Sequence, residues 1–548
     1  MRSDQGGLWM STFEYPGRYT RWKTAFVDPP LQFESRDLTA DITALNLRGR
    51  VLVEALKDWF DAKGDMFDKV EAVSQDHLRV SVRPSTEKFC EEERSRQPSI
   101  FTLVREIIAC LYSEADEHLG LYGAFGYDLT FQFEPCRMRL ERPPTQRDLV
   151  LFIPDQILVV GYLDSSAKQF SYEFSYKGRN TAGHERTCKV DKFKAVQSTS
   201  RRDHEEGEYA KLVVKAKEEF KCGNLFEVVC SQTFYEHCPA PPSELHRRVR
   251  ERNPSPFSFI INLGKQEYLV GASPEMYVRS KGKMIETCPI SGTIRRGATA
   301  IEDACNIKKL LNDEKEESEI TMCTDVDRND KSRICKPGSV QVVGRRQIEM
   351  YSRLIHTVDH VKGELLDDKD ALDAFLAHTW AVTVTGAPKA WAMQFLEDNE
   401  RTCRAWYGGS VGHLGFDGNI NTGLTLRTIR IIDGIAQVRA GATLLYDSDP
   451  PAEEAETVLK ASAFIDALRV PRTVQILKSQ SSIYWLYIVN TRLTFQNLYQ
   501  GPGASNAPTN DLPANKGCAG KRILLIDHQV PAPLRLCASA PLRLNPNP

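Results

Sequence analysis

The chain has 548 residues, of which 41% are hydrophobic and 26% charged, and a formal net charge of −2. That composition is of an ordinary globular protein long enough for two or three domains, and the near-neutral balance excludes a nucleic-acid or membrane-surface role resting on bulk charge. The 14 cysteines fall without CxxC pairs or a histidine at zinc-finger spacing, so they are read as reduced thiols of a cytoplasmic protein.

The N-terminal stretch MRSDQGGLWMSTFEYPGRY has no apolar h-region and no Arg/Ser-rich amphipathic segment, so no secretory signal, membrane anchor or transit peptide is expected. The most apolar run, residues 483–489, is far too short to span a bilayer. Residues 1–177 alternate short β-branched or aromatic runs with turns. Residues 149–163 predict two strands about a Pro-Asp turn, and residues 99–119 a helix with Phe101, Val104, Ile107, Ile108 and Leu111 at helical spacing. This is a sheet-rich domain, followed by a polar, charged stretch, 178–206, expected to be an exposed linker.

Residues 207–469 form the second expected domain. A helix ending at Gly223 leads into the β-rich NLFEVVCSQTF, a helical SELHRRVRERN, and successive antiparallel strands through NPSPFSFIINLG, EYLVGASPEMYVRS and KMIETCPISGTIRRG. Further strands, a helix over DKDALDAFLAHTW, a helix with Pro388 near its first turn, and glycine-punctuated strands follow, before a closing acidic helix over residues 453–468. Strands do not alternate singly with helices, so the fold class is α+β, with large antiparallel sheets flanked by helices. Amphipathic periodicity is lost over residues 470–548, which are expected to be mostly unstructured, with a lone strand-like run at 521–527.

The chemistry gathers around EESEITMCTDVDRND. Glu316 and Glu319 are three apart and share a helical face, with no basic partner evident nearby. In the closing helix Glu453, Glu456 and Lys460 line one face, and Val458, Ser462, Ile465 and Leu468 are expected to face the core. Two carboxylate-bearing helices brought together suit a hard cation, because Mg²⁺ is usually held by one or two carboxylates and leaves other positions to water and an oxyanionic substrate. Glu319 and Glu456 are the expected metal ligands. Other motifs fail: DVDRND lacks the glycine and glutamate of a calcium loop, GGSVGHLG is neither a phosphate loop nor a dinucleotide fingerprint, and no GxSxG occurs.

PISGT, DVDRND, HTVDHVKGEL, TVTGAPK, YGGSVG, NTGLTLRT, RAGATLL and EEAETVLKA, in this order, resemble the chorismate-utilising enzymes, and among them the large component of anthranilate synthase. EYPGRYTRW, NLFEVV, NPSPFSF and GASPEM are most similar to the fused bacterial form. The resemblance covers residues 205–469 strongly and the first 200 more loosely, and implies the two-layer core of that family. It places the Mg²⁺ ligands on Glu319 and Glu456, where the carboxylate argument also arrives. It places chorismate contacts on Gly292, Thr293, Tyr407, Arg427, Gly441, Ala442 and Thr443, the last departing from a usual glycine, and catalytic roles on Glu316, His356 and Thr383. Glu316 would protonate the departing C4 hydroxyl, a task needing a raised pKa.

The implied reaction aminates chorismate at C2 and eliminates pyruvate to give anthranilate. Ser291 stands where enzymes making aminodeoxychorismate carry a nucleophilic lysine, so ammonia is the implied nucleophile. Ser11, Pro256, Phe257 and Ser258 correspond to a pocket for tryptophan as feedback inhibitor. The fused relatives continue from a strand like GKRILLIDH into a glutaminase with a GxCxG turn; no GxCxG occurs here, so no glutamine hydrolysis is expected and the chain is read as truncated. A separate glutaminase subunit and a homo-oligomer are left open, as are two alternatives: an enzyme stopping at aminodeoxyisochorismate, and an inactive tryptophan-binding fragment.

Overall fold

A computed structural model describes residues 6–12, 22–161, 166–186, 193–351 and 354–469, and two short strands further on, Arg535–Leu536 and Pro541–Arg543. The runs at 483–489 and 521–527 and most of EYPGRYTRW lie outside the described residues. No helix among the described residues is long and apolar enough to cross a membrane.

The local signals act as their chemistry dictates. Leu149–Ile153 and Gln156–Gly161 are separate strands, because Pro154 and Asp155 break the run between them. The helix expected over 99–119 spans only Ile100–Cys110. It starts at Ser99, whose N–H donates to Thr102 Oγ1 at 3.2 Å. The acidic residues after it form a turn instead, with Asp116 accepting the N–H groups of His118 and Leu119 at 2.8 Å each.

Two large sheets make the α+β fold. From one edge, the first runs Arg201–Arg202, Glu227–His237, Ile435–Leu444, Thr428–Ile432, Glu267–Ser273, Phe257–Asn262, Gly7–Ser11, Trp22–Val27, Gln156–Gly161 and Ser166–Ser171. The second begins with Ile290–Arg295, Leu354–Glu364, Met284–Thr287, Met276–Lys281, Ile420–Leu424, Ser410–Gly415, Gly120–Phe125 and Leu149–Ile153, and ends in four strands between residues 31 and 82. The two layers meet through one apolar core, in which Phe26 of the first sheet packs edge-on against Tyr122 and Phe152 of the second, at centroid distances of 5.7 and 6.2 Å.

Chain segments interleave in both layers. Gly7–Ser11 pairs with Phe257–Asn262, and Gly120–Phe125 with Ser410–Gly415, so residues 1–177 and 207–469 share both sheets. The stretch expected as an exposed linker is mostly exposed where it is described, with an anchor at one point. Thr181 is fully buried, and its carbonyl accepts from Arg48 Nη1 at 2.6 Å. Arg48 is itself buried, ion-paired to Asp155 and to Glu173, and donates to Tyr172 O at 2.8 Å. Removing one side of such a network strands the other charge in the interior. Arg48→Ala is therefore expected to cost about 3–5 kcal/mol, read as a lowered urea midpoint.

The closing helix, Pro450–Arg469, buries only part of the stripe expected. Ile465 and Leu468 are buried as expected, but Val458 is 40% exposed and Ser462 half-buried, and Thr457, Ala461 and Phe464 are buried in their place. The cause is polar. Glu453 is drawn inward by Ser448 Oγ (2.7 Å) and Lys315 Nζ (3.2 Å), and Glu454 caps the neighbouring helix by accepting the N–H groups of Gly207 and Ala210 at 3.0 Å each. These contacts fix the helix about its axis and carry the buried stripe round with them.

Candidate active site

The helix Glu314–Ser332 begins at Asp313, whose carboxylate accepts the N–H groups of Lys315 (3.0 Å) and Glu316 (3.2 Å). Its first turns face the strand Ile290–Arg295. That strand shifts register against Leu354–Glu364 between Ser291 and Thr293, with Gly292 at φ 79°. A Cβ at Gly292 would lie 2.8 Å from Thr357 Oγ1 and 3.0 Å from Glu316 Oε2, so only glycine leaves room for the carboxylate. The same bulge turns the Thr293 N–H onto Glu316 Oε2 at 3.2 Å.

These elements and the closing helix enclose a cavity of about 110 Å³. Its acidic wall carries Glu316 and Glu319 from one helix and Glu456 from the other. Gly292, Thr293 and His356 form an adjoining wall, Thr383, Tyr407 and Arg427 another, and Gly441 and Thr443 enter from the strand Ile435–Leu444. The residues expected at metal, catalytic and substrate positions thus stand around one space, with one exception. Ala442 does not line the cavity: its side chain lies in an apolar cluster, and its N–H meets Tyr209 Oη at 3.3 Å. Strand alternation requires this, since its neighbours Gly441 and Thr443 face the other way.

Crowding sets the electrostatics. Burial, and then the nearby Glu319 charge, push Glu316 up to about 7. Burial also raises Glu319, opposed by a contact with Ser291, whose hydroxyl makes no well-formed hydrogen bond, and by Lys460 and Lys315. Glu456 is held below the usual carboxylate range, chiefly by Lys460 at 2.6 Å. The acidic wall therefore has basic neighbours, Lys315 and Lys460, where no basic partner was expected for Glu316 and Glu319.

His356 is neutral, its pKa lowered to about 3 by burial and then by Arg427. Its Nδ1 lies 3.2 Å from Gly292 O and 3.0 Å from Thr293 Oγ1, so Nδ1 carries the hydrogen donated to the carbonyl and Nε2 keeps a lone pair. Arg427, at φ 50°, has a guanidinium with no hydrogen bond or ion pair among the described residues; burial lowers its pKa, and Glu456 opposes this. Tyr407 is flanked by the guanidinium groups of Arg404 and Arg439, 5.5 and 5.9 Å from its ring.

One acidic group was missed. Glu275 lines the same cavity, is 3% exposed, and accepts from Thr383 Oγ1 at 2.8 Å. Burial pushes it up to about 8, against the Thr383 hydrogen bond. It lies in GASPEM, between the strands Glu267–Ser273 and Met276–Lys281, where neither helical nor alternating spacing singles it out.

Among the described residues no group of three or more His, Cys, Asp or Glu stands together as a metal cluster. The donor set nevertheless fits a Mg²⁺ ion: two carboxylates from different helices, beside a third, leave positions for water and an anionic ligand. The residues expected to form a tryptophan pocket are also neighbours. Ser11 pairs with Ser258 across adjacent strands, both are buried, Ser258 Oγ lies 3.2 Å from His246 Nε2, and Pro256 and Phe257 are buried beside them.

A family model described as chorismate binding enzyme matches residues 52–466. An anthranilate synthase of Azospirillum brasilense is 49% identical, over 96% of this chain and 67% of its own length. Anthranilate synthase component 1 of Aquifex aeolicus is 35% identical over 68% of this chain and 80% of its own, and that of Mycolicibacterium smegmatis 35% identical over 65% and 72%. Among solved structures, anthranilate synthase component I from Streptococcus pneumoniae aligns with a TM-score of 0.59 at 22% identity, covering 82% of this chain and 93% of that one.

Proposed function

Because this chain belongs to the chorismate-binding enzymes, as a chorismate-utilising lyase, we propose that it is the synthase component of an anthranilate synthase, converting chorismate and ammonia to anthranilate, pyruvate and water in tryptophan biosynthesis. The observation that carries this reading is one cavity lined by Glu319 and Glu456 and by Arg427, whose guanidinium has no ion pair among the described residues. A small dianion with carboxylates at two ends suits that pairing of opposite charges.

Mg²⁺ held by Glu319 and Glu456 would supply Lewis-acid stabilisation at the ring carboxylate. The protein's own groups do the rest. Arg427 receives the second carboxylate through its planar fork. Ser291 offers no amine, so the nitrogen added at C2 is ammonia's. Glu275 and Glu316 both hold protons near neutral pH and stand within the cavity as donors to the departing C4 hydroxyl. His356 Nε2, with its free lone pair, takes the ring proton as pyruvate leaves. Tryptophan would bind beside Ser11 and Ser258 as a feedback inhibitor. The protein would work in the cytoplasm, drawing ammonia from solution or from a separate glutaminase.

The test incubates the full chain with chorismate, Mg²⁺ and either ammonium or glutamine, following anthranilate fluorescence with and without tryptophan. Fluorescence should rise with ammonium alone and fall when tryptophan is added. Accumulation of aminodeoxyisochorismate, or turnover with glutamine alone, would overturn the assigned product or the assigned nitrogen source.

Arg427 offers a second check, because its charge is desolvated in the free protein and its expected partner is the substrate. Arg427→Met is expected to lower kcat/KM for chorismate about 10- to 100-fold, the loss of a charge-assisted hydrogen bond. It should also raise Tm by about 1–3 °C, since a buried unpaired charge is removed. A lowered Tm with unchanged KM would show that the guanidinium serves the fold.

A further inference from the structure

The cavity holds its own cations. Lys460 Nζ lies 2.6 Å from Glu456 Oε1 and 3.1 Å from Gly441 O, and Lys315 Nζ lies 3.2 Å from Glu453 Oε1. The two are not equivalent. Glu453 is buried and also accepts from Ser448 Oγ at 2.7 Å, so Lys315 is anchored on a carboxylate that the cavity does not share. Lys460, by contrast, sits on an acidic-wall carboxylate, and its other hydrogen bond among the described residues goes to a single backbone carbonyl.

A divalent ion bound at Glu456 would stand beside the Lys460 ammonium, and the repulsion between two cations on one carboxylate sets them in competition for it. Both satisfy the same excess of negative charge, from Glu316, Glu319 and Glu456. An ammonium on a flexible four-carbon stem can be released and re-aimed at modest cost. Gly441 and Arg427 line the same cavity, so the freed group remains beside the space an anionic substrate would fill.

We propose, resting on the reading of the acidic wall as a divalent-cation site, that Lys460 is a displaceable resident cation. It steadies Glu456 while the site holds no divalent ion, gives up that carboxylate when one binds, and then pairs with a carboxylate of the substrate. Cation and chorismate binding thereby reinforce one another, and by linkage the reinforcement is reciprocal. Lys460 in this account acts first through Glu456 and then directly on the substrate.

The test measures Mn²⁺ binding to the full chain by electron paramagnetic resonance of free Mn²⁺, with and without chorismate and with no ammonium present. Wild type is compared with Lys460→Gln, with Lys460→Met as a second variant that keeps the aliphatic stem, and with Lys460→Arg, which keeps the charge. Without chorismate, K460Q and K460M are expected to bind Mn²⁺ about two- to fivefold more tightly, the size of a half-exposed ion pair no longer in competition. Chorismate is expected to tighten Mn²⁺ about fivefold or more in wild type. That ratio should fall toward one in the neutral variants and persist in K460R. Unchanged or weaker Mn²⁺ binding by the neutral variants, or an unchanged chorismate ratio, overturns the role of Lys460 alone. Absence of Mn²⁺ binding by wild type overturns the cation-site reading with it.

Discussion

Replacing Glu275 by Gln is expected to lower kcat about 10²- to 10⁴-fold, the range for removing a general acid, with the KM for chorismate nearly unchanged. The substitution is nearly isosteric and keeps an acceptor for Thr383, so the fold should survive it. Its counterpart, Glu316→Gln, separates the two candidates for proton donor. The geometry favours Glu275, because it is 3% exposed and held by the Thr383 hydroxyl, whereas Glu316 is only half-buried. Steady-state rates of the two variants across pH decide between them. Above the ordinary carboxylate pKa the folded protein binds these protons more tightly than the unfolded chain. The stability they contribute is full below about 4.5 and is lost as pH rises through 7 to 8. The rate should fall over the same alkaline window as the acid loses its proton, and E275Q should lack the limb near 8. A large loss in E316Q with near-normal E275Q would return the role to the residue that the sequence pointed to.

Part of the site was legible because three of its carboxylates, Glu316, Glu319 and Glu456, lie on helices. Glu316 and Glu319, three apart behind the capping Asp313, had to share a helical face, and Glu456 and Lys460 repeat that logic one turn apart. The helix stop near Gly223 and the break at Pro154 were equally local. What escaped depends on contacts distant in sequence. Nothing in the residues around Ser11 says that it will lie opposite Ser258; only the family resemblance set the two in one pocket, and neither half alone shows that the strands interleave. The buried stripe of the closing helix was read correctly at Ile465 and Leu468 but not at Val458, because hydrophobicity ranks Val458 above Glu454, whereas a helix N-terminus more than two hundred residues away claims the glutamate. Glu275 acquires its character only from burial beside Thr383, and no spacing encodes that. Ala442 was carried over with its neighbours, although alternation along a strand sends it into the core.

Loss of either Glu319 or Glu456 is expected to cost at least about a hundredfold in kcat/KM, the several kcal/mol that a bound cation supplies to developing charge. The two residues come from helices more than a hundred positions apart and act as one unit only if the cavity between them is where the chemistry occurs. A double-mutant cycle measures that directly, because residues serving one ion cannot each be lost twice. Rates of anthranilate formation with ammonium and Mg²⁺ are compared for wild type, Glu319→Gln, Glu456→Gln and the double variant. The double variant is predicted to be no slower than the worse single one; losses that multiply, or a single variant with full activity, would contradict a shared site.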